Sequence, residues 1–217
     1  MSDRLVSGHG PLDAVLGGGL PANAISLLVG LPGTGKTIIA QQYLFCNTQA
    51  ARPAYYFSTV SEPLEKIVRF GQNLGFFGQA AVGRSVFYED LGGTVSGDGL
   101  AGVIQRIAAV LKEHRPGLIV IDSFKALHAF ADSPTEFRKF LHELAGRLGA
   151  FPVSSLWVGE YDDADVSLLP EFAVADAIVS LATGKRCQRE IRFLPSGNCG
   201  AAATHQASTP TGSAPAA

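Results

Sequence analysis

Cysteine is scarce in this chain of 217 residues: Cys46, Cys187 and Cys199 stand far apart, with none of the close spacings of a zinc site or a redox motif. A reduced compartment is the expectation. No apolar run approaches the roughly 20 residues of a membrane span, and Met1-Ser2-Asp3-Arg4-Leu5-Val6 lacks the apolar core of a secretory signal. A cytoplasmic protein without a membrane partner is therefore expected. An excess of either charge is missing too, since 17 basic and 19 acidic residues leave a formal net charge of -2. The basic footprint of nonspecific nucleic-acid binding is absent, so nucleic acid is a partner that charge does not support. His9, His114, His128, His142 and His205 share no metal-ligand spacing and read as ordinary helix and loop residues.

What the chain does have is apolar sequence, 47% hydrophobic against 17% charged, enough for one large domain with a well-buried sheet. Short β-type runs at 24–29, 54–59, 85–88, 118–121 and 153–158 alternate with helical stretches. That alternation predicts an α/β fold, a mostly parallel sheet with helices on both faces. Helices are expected at 62–74, with Pro63 near its first turn, at 100–114 after a Gly-rich loop at 91–99, and at 134–148 behind Ser133. In the last of these Phe137, Phe140, Leu141, Leu144 and Leu148 recur at intervals of three and four, the mark of a core-facing helix, with a partner-binding stripe as the alternative. Runs at 177–181 and 189–194, joined by Thr183-Gly184-Lys185, read as a C-terminal β-hairpin. From Pro195 the composition turns to Ala, Gly, Ser, Thr and Pro. The expected organisation is one domain over 1–194 and a low-complexity, disordered tail over 195–217.

The chemistry is concentrated in Gly30-Leu31-Pro32-Gly33-Thr34-Gly35-Lys36-Thr37, a complete G-x-x-x-x-G-K-T loop that follows the apolar run Ile25-Ser26-Leu27-Leu28-Val29. Thr37-Ile38-Ile39-Ala40 then opens a helix. A nucleoside triphosphate is a dense anion, and loop amides at a helix N-terminus offer it unpaired donors together with the positive end of the helix dipole. Lys36 places an ammonium on the β- and γ-phosphates, and the Thr37 hydroxyl coordinates a bridging Mg2+. An ordinary Gly-rich turn with an exposed lysine is the plain alternative. The apolar strand Leu118-Ile119-Val120-Ile121 ends in Asp122, a second carboxylate-type group for Mg2+ or else a cap for the next helix.

Hydrolysis needs a group that orients the attacking water, and Glu62, just past the second strand, is the candidate. An acidic residue in a helix's first turn also complements the dipole without any further purpose. Glu160, after the fifth strand, lies on the ligand side of such a sheet. It reads as a functional group, sensing the γ-phosphate or contacting a neighbouring subunit, and equally well as one member of an acidic solvent loop with Asp162, Asp163 and Asp165.

The phosphate loop, Leu12-Asp13 with Gly17-Gly18-Gly19-Leu20-Pro21, the segment Ser61-Glu62-Pro63-Leu64-Glu65-Lys66, the run from Pro116 to Ser123, and Trp157-Val158-Gly159-Glu160-Tyr161 together resemble the KaiC-like branch of the RecA-superfamily P-loop ATPases. The match runs in order from about Ser7 to Leu194. The resemblance implies a RecA-like core, binding of ATP with Mg2+ through the loop from Gly30 to Ile38, Mg2+ held by Thr37 and Asp122 (Walker A and Walker B positions), and catalysis by Lys36 and Glu62. It also implies homo-oligomeric rings, hexamers among them, or a signalling protein as partner.

Two departures bear on turnover. Clock-type relatives often carry paired glutamates after the second strand, where Ser61 leaves only Glu62. The family commonly continues past a strand like 189–194 into a Lys-x-Arg-Gly segment that reaches a neighbour's nucleotide, where Pro195-Ser196-Gly197-Asn198 stands instead. A C-terminus truncated or frameshifted relative to the family is the expectation, with Arg186, Arg189 and Arg192 as partial substitutes or simply solvated charges. The functional expectation is a Mg-dependent, slow ATPase with a regulatory or signalling role. A nucleotide-binding signalling module without turnover, and a recombinase-like DNA-dependent ATPase, are the alternatives.

Overall fold

The computed structural model describes residues 4–60, 63–162, 164–186 and 189–193. In chain order the elements are β1 (Arg4–Leu5), α1 (Gly10–Val15), β2 (Leu20–Pro21), β3 (Ile25–Gly30), α2 (Lys36–Cys46), β4 (Ala54–Ser58), α3 (Leu64–Gly71), β5 (Val86–Asp90), α4 (Gly92–His114) and β6 (Leu118–Asp122). There follow α5 (Pro134–Gly149), β7 (Ser154–Glu160), the single-turn helices α6 (Asp165–Leu168) and α7 (Glu171–Val174), β8 (Ala177–Arg186) and β9 (Arg189–Phe193).

Seven strands form one sheet in the order β5-β4-β6-β7-β3-β8-β9. Within this sheet the strands from β5 to β8 run parallel to one another and β9 pairs antiparallel, while β1 and β2 form a separate antiparallel pair. This is a RecA-like α/β core, with the parallel sheet and terminal hairpin that the sequence predicts. Parallel strands need both faces covered, which is why β3, β4 and β6 are buried at every position. Alternation sorts their side chains. Leu27, Phe57, Ile121 and Trp157 share one core with Ile107 of α4 and Phe137 and Leu144 of α5. Leu28, Tyr56, Val120 and Val158 share the other with Ala40 and Leu44 of α2 and Ile67 of α3. The Phe124 ring lies flat on Trp157, centroids 4.1 Å apart, joining the end of β6 to β7. The periodic residues of α5 are all buried, as its core-facing stripe predicts.

Three local expectations are corrected. The segment after Leu91 is not an open loop: it is helical from Gly92, with a break at Gly99 (φ 63°, ψ -160°). Burial of Leu91 and Val95 holds that turn in place and outweighs the poor helix propensity of its glycines. The helix expected over 62–74 is shorter, with extended Pro63 at its N-cap and a close approach to α2 at its end. A Cβ on Gly71 would lie 2.3 Å from Oε1 of Gln41. Finally, Thr183-Gly184-Lys185 does not turn but continues β8, which pairs from Ala182↔Phe193 to Arg186↔Arg189. Ser61, Glu62, Leu194 and the segment 195–217 lie outside the described residues.

Candidate functional site

The phosphate-loop sequence joins the C-terminal end of β3, an interior strand of the sheet, to the N-terminus of α2. Gly30, Gly33 and Gly35 have φ of 147°, 77° and 94°. Gly30 is also fixed by space, because a Cβ there would lie 2.3 Å from the Leu181 carbonyl oxygen on β8. Thr34 is buried and donates its hydroxyl to the Leu31 carbonyl at 2.9 Å. Leu31 itself is exposed, and Ile38 is partly exposed in the first turn of α2.

Lys36, the first residue of α2, folds back over the loop. Its Nζ donates to the carbonyls of Gly30 at 2.9 Å and Leu31 at 2.8 Å, and the residue is only 7% exposed. Burial lowers its pKa, against the opposing pull of the Glu160 and Asp122 carboxylates. The next residue, Thr37, donates its hydroxyl to Oδ2 of Asp122 at 2.8 Å. Asp122 ends β6, and β7 lies between β6 and the loop-bearing β3, so this contact spans two strand spacings. The same Oδ2 accepts from the fully buried Tyr56 hydroxyl at 2.5 Å. Behind it the Thr59 hydroxyl donates to the Ser123 carbonyl at 2.9 Å and accepts from the Ser123 amide at 3.0 Å.

These groups open onto a cleft of about 700 Å³, lined by Gly33, Gly35, Lys36, Thr37, Ile67, Asp122, Ser123, Lys125, Ala126, Gly159 and Glu160. The structure thus brings Lys36, Thr37 and Asp122 together as the sequence anticipates, while Gly30, Leu31 and Thr34 shape and brace the loop. Pro32 and Ile38 belong to the same loop and helix start. Glu62, the sequence's candidate for orienting water, lies outside the described residues. Glu160, left open between three readings, is the register partner of Gly30 and lines the cleft.

Sequence reasoning missed Tyr56 and Lys125. Tyr56 had a partial signal in its alternation with Ser58 on the second strand, and the observed pairing of Ser58 with Asp122 then makes Tyr56 a diagonal neighbour on the same face. Lys125 had none before the topology was known. Its Nζ pairs with Oδ2 of Asp165 at 2.6 Å and lies 5.2 Å from the Tyr161 ring centroid. That contact holds the Asp165 carboxyl below the ordinary carboxylate range. Next to it, fully buried Glu171 accepts from the Tyr161 hydroxyl at 2.8 Å and lies 2.9 Å from His128 Nε2. His128 is thus more engaged than its spacing implied, stacked on Phe137 with centroids 3.5 Å apart. The acidic loop is structured where it is described, since Asp162 Oδ1 accepts from the amides of Ala164 and Asp165.

The donor set near the loop fits Mg2+. The Thr37 hydroxyl and the Asp122 carboxylate are hard oxygen donors facing one cleft, and Mg2+ in nucleotide sites takes one or two such groups together with phosphate oxygens and water. Among the described residues no group of three or more His, Cys, Asp or Glu could hold a metal on its own. No helix among them is long and apolar enough to cross a membrane.

A family model described as "ATPase: KaiC" matches residues 7–194. The circadian clock oscillator protein KaiC of Thermostichus vulcanus is 27% identical over 196 residues, covering 84% of this chain and 38% of that protein. The protein of the same name from Prochlorococcus marinus subsp. pastoris is 28% identical over 205 residues, covering 88% and 40%. A UPF0273 protein of Methanopyrus kandleri is 26% identical over 174 residues, covering 73% and 67%. The chain spans about two fifths of the length of the clock relatives it matches.

Proposed function

Because the chain belongs to the KaiC family of ATPases, we propose that it binds ATP with Mg2+ and hydrolyses it slowly to ADP and phosphate, as a cytoplasmic regulatory or signalling ATPase. The observation that carries this reading is the 2.8 Å contact from Thr37 Oγ1 to Asp122 Oδ2, which joins the glycine loop to a carboxylate two strands away, beside buried Lys36. Together they make one phosphate-and-metal site. The amides of the loop and the start of α2 donate to the phosphates, and Lys36 exchanges its carbonyl partners for phosphate oxygens. Thr37 and Asp122 hold Mg2+. The bound ion supplies charge neutralisation on the β- and γ-phosphates.

Glu62 positions water for in-line attack, and Glu160, on the cleft wall, is the second carboxylate available for that role. Slow turnover is supported by the sequence at two places, the single Glu62 beside Ser61 and the Pro195-Ser196-Gly197-Asn198 segment in place of a basic one. A positive charge supplied in trans is a large part of transition-state stabilisation in related chemistry. Clock relatives carry the name of an oscillator protein, and assembly into a ring, with a second copy or a signalling protein as partner, completes the proposal.

Phosphate release from Mg-ATP by the purified chain, beside Lys36→Ala and Glu62→Gln, tests it. Turnover lost in both variants, with ATP still bound by Glu62→Gln, supports the assignment. Binding without turnover in the unmodified chain sinks the hydrolytic part and leaves a nucleotide-responsive signalling module.

A further inference from the structure

The cleft carries one cation that the phosphate loop does not account for. Among the described residues lining it, Lys36 and Lys125 are the ammonium groups and Asp122 and Glu160 the carboxylates, so the wall as a whole is close to neutral. Even as its Mg2+ complex, a triphosphate keeps about two negative charges, which the ammonium of Lys36 only partly offsets beside the Asp122 and Glu160 carboxylates. Lys125 is the group within the same wall that can offset the remainder. It sits three residues past Asp122, on the two-turn 3-10 helix Lys125–Phe130 that follows β6.

The partner of Lys125 is easily exchanged. The Lys125 and Asp165 side chains are 37% and 19% exposed, and partly exposed ion pairs of this kind contribute little in water. Asp165 is not orphaned when the ammonium leaves, because its Oδ2 also accepts from the Asp162 amide at 2.9 Å. Lys125 also lies 5.2 Å from the Tyr161 ring centroid, so Asp165 is not its sole favourable neighbour. A polyphosphate carries several times the charge of a lone carboxylate, so it competes effectively for this ammonium.

We infer that Lys125 is a second phosphate-binding cation of the cleft, shared between Asp165 and the polyphosphate of a bound nucleotide, so that binding in the cleft is read directly by α6. This rests on the nucleotide-binding reading above and deepens it by naming the residue that couples the site to the segment after β7. Asp165 is then a competitor of the nucleotide. Removing its charge strengthens binding, whereas removing the Lys125 charge weakens it, and a merely structural ion pair produces neither effect.

The test measures Mg-ATP affinity by titration calorimetry for the full chain and for Lys125→Met, Asp165→Asn and the double variant, with Lys36→Ala as the control for the loop. Lys125→Met is expected to weaken ATP binding about tenfold or more, the size of a lost charge-assisted contact. Asp165→Asn is expected to tighten it severalfold, and the double variant to match Lys125→Met. Lys125→Arg keeps the charge and should stay within a few-fold of the unmodified chain, which covers the case in which Lys125→Met fails to fold. Affinities within twofold across the set, or weakening by Asp165→Asn equal to that by Lys125→Met, would overturn the inference while leaving the site at Lys36 intact. Absence of ATP binding by the unmodified chain overturns the nucleotide reading itself, and this inference with it.

Discussion

The hydroxyl of Tyr56 donates to the same Asp122 oxygen that accepts from Thr37, at 2.5 Å and 2.8 Å. A group buried at the centre of β4 therefore fixes the carboxylate proposed to hold Mg2+, and does so from the strand on the far side of β6 from the phosphate loop. Tyr56→Phe keeps the packed ring and removes only the donor. The expected result is a loss of about 1 kcal/mol in unfolding free energy, together with a severalfold higher Mg2+ concentration for half-maximal ATP affinity. ATP titrations at stepped Mg2+ check this. An unchanged Mg2+ requirement would show that Tyr56 packs but does not position Asp122.

Gly30 stands where three demands meet: a φ of 147°, the turn into the loop, and the Leu181 carbonyl 2.3 Å from any Cβ. Gly30→Ala must distort the loop or push β8 away. Backbone strain of this kind is on the order of 1–3 kcal/mol, and the steric overlap adds to it. Chemical denaturation should show a loss of at least that order, and ATP affinity should fall in parallel because the Gly30 carbonyl also holds Lys36. Full stability in the variant would mean that the strand spacing at β3 and β8 is looser than described.

Two carboxylates are candidates for the proposed role of orienting water. Glu160 lines the cleft and attracts the Lys36 ammonium electrostatically, whereas Glu62 has the resemblance on its side. If Glu62 orients the water, Glu62→Gln lowers kcat by about a hundredfold or more, a typical contribution of general-base catalysis, with ATP affinity kept. Glu160→Gln then changes kcat by only a few-fold. The reverse pattern in single-turnover hydrolysis would move the catalytic assignment to Glu160.

The sequence made the central strands legible because each is a short, predominantly apolar run, and the phosphate loop legible because glycine at fixed spacing has few other uses. Thr37 and Asp122 could be placed for the same reason, at the ends of elements whose direction is forced by parallel pairing. Harder to read were features decided by partners distant in the chain. The helical turn at Gly92 exists because Leu91 and Val95 find the core. Lys125 meets Asp165 only because β6 and β7 are neighbours, which leaves the segments after them side by side. No local periodicity announces either one. His128 likewise looked ordinary by spacing, and its contact with Glu171 depends on α7 returning beneath the 3-10 helix.

The Lys125–Asp165 pair also sets a pH dependence with a definite sign. Lys125 holds the Asp165 carboxyl below its ordinary value of 3.8, so the folded protein binds that proton less readily than the unfolded chain does. The contribution of the pair to stability is therefore complete above the ordinary carboxylate range and is lost as pH falls through the depressed folded value. For a partly exposed pair it amounts to less than about 1 kcal/mol. Urea denaturation of the unmodified chain and of Asp165→Asn should show a small gap in midpoint at pH 6 that shrinks as pH falls below 3.8. Raising the salt concentration to about 1 M, where the screening length is near 3 Å, should narrow the gap at pH 6 as well. A gap that is unchanged in acid and in salt would mean that Asp165 stabilises this segment through its bond to the Asp162 amide and not through Lys125. The ammonium would then be held only loosely by Asp165, and Asp165→Asn would leave ATP affinity where it was.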